Sequence, residues 1–175
     1  MPDGWTQRAE NLALPPQVNG LYAVYDGLDS TWWNDARLNG DPRSIIMMQG
    51  MLPETLAVDP EVALGTASKV WQVWGDTKIR GWVRPVLPIN SARIGKPERA
   101  MYQLSAYNDW KFDDAGFAIR GGDGGTRPPF LPGNARFLYV VAHCAADSHE
   151  SNGDVPDFSS DGSWTIKHEG LLKAL

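Results

Sequence analysis

Apolar residues in this chain come in short runs, and turn residues separate the runs along most of its length. Asn-Gly and Asp-Gly pairs supply residues that tolerate positive φ, and such pairs commonly connect two antiparallel strands. The pattern therefore indicates β-strands more than helices. The pairs are Asn19-Gly20, Asp26-Gly27, Asn39-Gly40, Asp123-Gly124, Asn152-Gly153 and Asp161-Gly162.

Several of the apolar runs predict strands. Residues 100–112 show the clearest alternation, with Tyr102, Leu104, Ala106, Trp110 and Phe112 on one face. The other runs are too apolar for either side to face water fully, which is typical of internal strands. They cover residues 18–25, 44–51 and 137–145, and residues 163–168 could add one more.

Two hairpins are predicted where β-prone runs flank a short turn. In the first, residues 69–74 and 78–86 flank a loop at 75–77, and Pro85 and Pro88 should end the second strand or place it at an edge. In the second, the sequence Asp113-Asp114-Ala115-Gly116 turns the chain into residues 117–120.

Helix is predicted only as a minor component. Residues 31–38 follow a candidate N-cap at Asp29-Ser30, although adjacent tryptophans weaken that helix. Residues 53–58 or 59–64 could each form one or two helical turns with proline at the first position. A terminal turn is expected through Leu175.

The expected fold is mainly β: one domain over residues 1–175, built as an antiparallel β-sandwich or barrel with one or two short helices. A chain of 175 residues can bury a sufficient core as one domain. An N-terminal arm is expected at 1–16, a long Gly/Pro-rich loop at 121–136 and an acidic loop at 146–162. Long loops in compact domains are often functional.

Composition excludes several classes of function. A net charge of −5 argues against a general nucleic-acid binder, which needs a basic surface. The single cysteine, Cys144, excludes an internal disulfide framework and a zinc site made of several thiolates. No cofactor is predicted. No stretch resembles a signal peptide or a membrane span, so we expect a soluble cytoplasmic or virion protein without a membrane partner.

One group of residues could carry catalysis or a transition metal. It gathers near the end of the strand predicted at 137–145 and consists of His143, Cys144, Asp147, His149 and Glu150. On a strand, His143 and Cys144 would point to opposite faces, which opposes a shared site. A strand end entering a polar loop is therefore favoured, and a small hydrolase using His143 or His149 with nearby acids stays an alternative.

The acidic loop is a weak candidate for calcium. Five carboxylates lie between 147 and 161 without a lysine or arginine, and oxygen ligands suit a hard cation. Spacing typical of an EF-hand is absent, so a solvated loop is favoured over a metal site. The weak candidates for ligands are Asp154, Asp157 and Asp161.

A second candidate surface is aromatic and basic. Arg80, Trp82 and Arg84 would share one face of the strand predicted at 78–86. A ring flanked by guanidinium groups could stack on a sugar or hold an acidic partner, although such groups often satisfy one another. Tyr107 and Phe130 are further candidate contacts, Phe130 because it lies in the loop at 121–136.

Charge is distributed unevenly along the chain. Residues 78–99 hold six cations against Glu98 alone, whereas residues 147–161 hold only acids among their charged residues. Complementary patches favour head-to-tail contact between copies. We therefore predict a non-enzymatic assembly protein, such as a capsid-decorating, spike or tail component of a virion, whose partners are protein subunits including itself. The alternatives are a carbohydrate-binding module, with a surface glycan as partner, and the hydrolase.

Overall fold

Helix, and not strand, dominates the described residues of the computed structural model. The predicted β-sandwich or barrel is therefore wrong. The residues that the structure describes are 3–11, 13–35, 37, 43–46, 57–74, 86–106, 110–120, 130–146, 158, 161–167 and 169–170.

The described elements are, in chain order, six α-helices, four short strands and two helical turns of other types. They are α1 (Asp3–Glu10), β1 (Gln17–Val18), β2 (Leu21–Tyr22), a 3-10 turn (Trp32–Asn34), α2 (Arg43–Ile46), α3 (Pro60–Trp74), α4 (Val86–Arg93), α5 (Pro97–Met101), a π-helical turn (Tyr102–Ala106), β3 (Trp110–Phe112), β4 (Ala118–Arg120) and α6 (Leu131–Ala145).

Helix α3 begins where the sequence predicts one and then continues much further. The carboxylate of Asp59 accepts the N–H groups of Glu61 and Val62, and Pro60 occupies the first helical position. The helix runs on to Trp74, so the strand predicted at 69–74 is wrong. Its buried positions, Ala63, Thr66, Ala67 and Val70, recur every three or four residues, as a helix packed on one side requires.

Helix α4 begins at Val86, the last residue of the strand predicted at 78–86, whose other residues lie outside the described chain. All eight of its residues are buried. Pro88 does not end an element, because it lies in the first turn, where a helix does not use the backbone N–H. Gly95, at φ 68°, ends the helix: N–H groups of Gly95 and Lys96 reach back to carbonyls of Ala92 and Ser91.

The strand predicted at 100–112 is wrong except at its end. Residues 97–106 are helical, and only Trp110–Phe112 forms a strand. Ala100, Met101 and Leu104 are buried while Tyr102 and Ser105 are exposed. That order follows a helical period, so the alternation of Tyr102, Leu104 and Ala106 did not mark the face of a sheet.

Helix α6 replaces the strand predicted at 137–145 and part of the predicted loop at 121–136. Pro132 and Gly133 lie in its first turn, where neither breaks the hydrogen-bond pattern. A Cβ atom at Gly133 would lie 2.9 Å from Cβ of Ala118, so the glycine allows β4 to approach the helix closely. Residues 121–129 lie outside the described chain.

The predicted turns are confirmed at both described hairpins. Asn19 and Gly20 have φ values of 53° and 73°, and they join β1 to β2 within the run predicted as one strand at 18–25. Gly116, at φ 82°, completes the turn between β3 and β4, in which the Asp113 carboxylate accepts the N–H groups of Ala115 and Phe117.

Three shorter elements differ from their predictions. The helix predicted at 31–38 is a single 3-10 turn at Trp32–Asn34. The run predicted as a strand at 44–51 includes the end of helix α2, and residues 47–51 are not described. Residues 163–167 are not in a strand.

Most of the buried apolar residues of the described chain form two clusters, and α4 contributes to both. One cluster joins β2, the 3-10 turn, α2, α3 and the start of α4 through Ala23, Trp32, Trp33, Ile45, Ile46, Val70, Val86 and Leu87. The other joins the rest of α4 to α5, the π-helical turn and α6 through Ile89, Ala92, Ala100, Met101, Leu104, Val140, Cys144, Ala145 and Phe158. Among the described helices, none has the length and apolar character needed to span a membrane.

Candidate functional site

Most of the residues that the sequence singled out lie outside the described chain. Only His143, Cys144, Phe130 and Asp161 can be placed. The others stay predictions: Arg80, Trp82, Arg84, Tyr107, Asp147, His149, Glu150, Asp154 and Asp157. The aromatic and basic surface proposed for a sugar therefore has no described member except Phe130.

Phe130 lies in the interior at the start of α6, only 8% exposed. Its backbone N–H donates to the carbonyl of Ala118, and its ring packs beside Gly133, where an added Cβ would lie 3.0 Å from the ring. The residue thus joins β4 to α6, and its ring is not presented to a partner in this structure.

Asp161 caps a local turn. Its carboxylate accepts the backbone N–H of Ser163 at 2.8 Å and also the hydroxyl of that serine. Gly162 has a positive φ of 81°, which suits the turn. Within the part of the chain that is described, no group of three or more His, Cys, Asp or Glu residues could hold a metal ion.

His143 forms a buried pair with Arg93 across the contact of α4 with α6. Its side chain is 4% exposed, and its Nε2 atom lies 3.2 Å from Nη2 of Arg93. A guanidinium group can only donate, so Nε2 must be the acceptor and the imidazole must be neutral with its proton on Nδ1. The described residues supply no hydrogen-bond partner for Nδ1, which is also buried.

Electrostatics at this pair favour the neutral ring. Burial, together with the smaller effect of the positive charge of Arg93, lowers the pKa of His143 from 6.5 to about 4. Tyr139, one helical turn earlier on α6, has its ring centroid 6.0 Å from that of the imidazole. His143 is therefore uncharged at neutral pH.

Such an arrangement is poorly suited to general base catalysis. The lone pair of Nε2 already accepts from Arg93, and no described carboxylate forms a hydrogen bond or ion pair with His143. Cys144 is the next residue on the helix, with its thiol fully buried in the second apolar cluster. The two residues are helical neighbours, so the prediction that they point to opposite faces of a strand is wrong.

Arg93 also changes the expected charge pattern. It belongs to the cationic segment 78–99, but its side chain is only 5% exposed and cannot contribute to a surface patch. Lys96 is exposed, and Arg99 is partly buried. Residues 78–85 are outside the described chain. The described part of the segment thus presents fewer cations to a partner than the sequence suggests.

Sequence reasoning missed a polar cluster formed by α4, α5 and the π-helical turn. Ser91 donates from Oγ to Oε1 of Gln103 at 2.8 Å, and the same Oγ accepts from Nε of Arg99 at 3.0 Å. The guanidinium carbon of Arg99 lies 5.2 Å from the ring centroid of Trp71 on α3. A helical interpretation of residues 97–106 could have found it, because it places Arg99 and Gln103 one turn apart.

The outer face of α6 is a second feature that the sequence analysis missed. Leu131, Leu138 and Tyr139 are 56%, 68% and 44% exposed, and Ala135 between them is also exposed. Val140 and Cys144 occupy the opposite, buried face, and the buried His143 lies at the edge of the stripe beside Tyr139. The helical signal was present in the spacing of residues 131, 135, 138 and 139, which place their side chains on one stripe.

Comparisons with known proteins add no assignment to these features. The chain was compared with protein-family models, curated proteins and solved structures, and none of the three comparisons gave a match.

Proposed function

We propose that this chain is a non-enzymatic assembly protein, and that the outer face of α6 contacts a second copy of the chain. The observation that carries the proposal is the exposure of two leucines and a tyrosine on one stripe of a helix whose other side lies in the core. A grouped set of large apolar side chains on a helix face is typical of an interaction surface.

A second copy is favoured as the occupant because the stripe offers little to select a charged partner. The only lysine, arginine, aspartate or glutamate in α6 is Arg136. Two identical apolar stripes are complementary to each other when a two-fold axis relates them. An antiparallel pair of α6 helices would bring Leu131 of one copy towards Leu138 of the other.

The expected strength of one such contact is modest. Burying an exposed leucine or tyrosine contributes about 1.5–3 kcal/mol, whereas association costs roughly 4–15 kcal/mol of translational and rotational freedom. Six side chains from two copies therefore give a weak pair. Weak contacts become effective when many copies sit side by side, which is the situation in a virion shell, spike or tail.

Sedimentation velocity from micromolar to millimolar protein tests the proposal. The wild-type protein should associate as its concentration rises. Leu138→Ser should weaken association roughly a hundredfold, because the two-fold pair loses one leucine from each copy and each is worth about 1.4 kcal/mol. Leu64→Ser is the matched control, because Leu64 is an exposed leucine of α3, 44% exposed. A wild-type protein that stays monomeric at millimolar concentration, or a Leu64→Ser variant that weakens association equally, would refute the proposal.

A further inference from the structure

Arg99 is held in place from two sides, by the buried Ser91 and by the partly buried ring of Trp71. Gly95 reverses the chain after α4, so α5 runs back past Ser91, and Nε of Arg99 donates to Oγ of that serine. Ser91 is 1% exposed and is itself fixed by Gln103, which is also buried. The guanidinium carbon lies over the Trp71 ring, and the exposed Tyr102 meets that ring edge-on at 6.2 Å.

The charge of this guanidinium is not balanced by an acid of the described chain. The hydrogen bond to Ser91 uses Nε alone, and no described residue pairs with either Nη group of Arg99. Arg37 provides the contrast, because its Nε and Nη2 form a two-point pair with the Asp35 carboxylate. Arg99 is partly buried, and its burial lowers its pKa, yet an arginine stays charged at every physiological pH.

We propose that Arg99, Trp71 and Tyr102 form a binding site for a carboxylate-bearing ligand. The two Nη groups of a guanidinium match the two oxygens of a carboxylate, and one positive charge matches one negative charge. A phosphate dianion needs further cations or backbone donors, and the described residues of this cluster, Arg99, Trp71 and Tyr102, add none to the single guanidinium. The partly exposed rings of Trp71 and Tyr102 offer an apolar surface for the remainder of the ligand.

The anchoring of Arg99 is the reason to expect binding at a single arginine. A flexible surface arginine loses side-chain entropy when it takes an anion, and this loss offsets most of the gain. Here the hydrogen bond to Ser91 and the contact with Trp71 have already fixed the side chain. The site is therefore organised before a ligand arrives.

Titrations followed by NMR test the proposal with benzoate as the probe. Spectra of protein labelled with nitrogen-15 report the Nε–H of Arg99 and the indole N–H of Trp71. Benzoate should shift both signals saturably, whereas the neutral benzamide should shift neither. Inorganic phosphate should bind more weakly than benzoate. Shifts that are equal for benzoate and benzamide, or tighter binding of phosphate, would overturn the proposal.

Substitutions show whether benzoate binds at Arg99 or at another cation of the chain. Arg99→Gln should weaken the benzoate response of Trp71 about tenfold or more, the loss expected for a charge-assisted pair. Arg99→Lys should also weaken it, because an ammonium group cannot make the planar two-point contact. Arg37→Gln should leave it unchanged. Unchanged binding in Arg99→Gln would overturn the proposal, and if that variant fails to fold, the wild-type titrations with benzoate and benzamide still decide.

Discussion

Substituting His143 by glutamine should make the stability of the protein less sensitive to acid. Glutamine removes the titrating ring and keeps an oxygen that can accept from Arg93. In the wild-type protein, the pKa of His143 is about 4 when folded, against 6.5 for an ordinary histidine. Between these values the unfolded chain binds a proton that the folded chain does not, so falling pH favours unfolding.

The loss of stability in acid can be calculated from the pKa shift of His143. Each pKa unit corresponds to about 1.36 kcal/mol, so the full loss is roughly 3 kcal/mol once the pH has fallen below about 4. The loss is absent above about pH 7 and reaches roughly 2 kcal/mol at about pH 5. Most of it thus appears before ordinary carboxylates begin to protonate.

Urea unfolding followed by far-ultraviolet circular dichroism gives the free energy of unfolding at several pH values. The wild-type protein should lose roughly 2 kcal/mol more than His143→Gln between about pH 8 and pH 5. Because both proteins share every other titrating group, the difference isolates this ring. Equal pH dependence in the two proteins would show that the imidazole is not held neutral by burial and by Arg93.

Two further substitutions test how the hairpins pack on the helices. Gly133→Ala should lower the melting temperature, because overpacking costs about 1–3 kcal/mol and exceeds the ~0.5–1 kcal/mol that alanine gains in a helix. Gly4→Ala, with no atom within 4 Å of its added Cβ, should not lower it. In urea unfolding, Thr66→Val should cost about 1–3 kcal/mol, because the buried hydroxyl of Thr66 accepts the N–H of Tyr22. Thr66→Ser keeps that bond and should cost less, so a costlier serine would contradict the role of the hydroxyl.

Turns and one helix start could be predicted because they depend on a few neighbouring residues. Asn19-Gly20 needs positive φ at both positions, and Asp113 supplies a carboxylate that ties its own turn. Asp59 and Pro60 likewise combine a cap with a proline at the first helical position. In each case the deciding contact lies within five residues along the chain.

The helices could not be told from strands by their apolar runs alone. Residues 137–145 are apolar at nearly every position, and such a run suits a buried strand and a buried helix equally well. The helical period of α6 appears only when the window reaches back to Leu131, and this part of the helix lies in the segment 121–136 that the sequence predicts as a Gly/Pro-rich loop. Neither proline nor glycine breaks the hydrogen-bond pattern in the first turn of a helix. Taking Pro132 and Gly133 as signs of a loop therefore gave the wrong prediction.

The buried pair of Arg93 with His143 lay beyond sequence reasoning for a different reason. The two residues are 50 positions apart, and their contact depends on how α4 packs on α6. The sequence alone groups Arg93 with the cations of residues 78–99 and His143 with the acids that follow it in the chain. Tertiary packing places the charged Arg93 against His143 in the interior, and this keeps the histidine neutral.

The position of helix α4 between the two apolar clusters determines how the protein unfolds. Its first residues, Val86 and Leu87, belong to one apolar cluster, and Ile89 and Ala92 belong to the other. Water cannot reach its backbone unless both clusters separate. Because α4 is shared, the two clusters should unfold together as one cooperative unit. Amide hydrogens of residues 90–93 should therefore exchange with deuterium only when the whole described core unfolds.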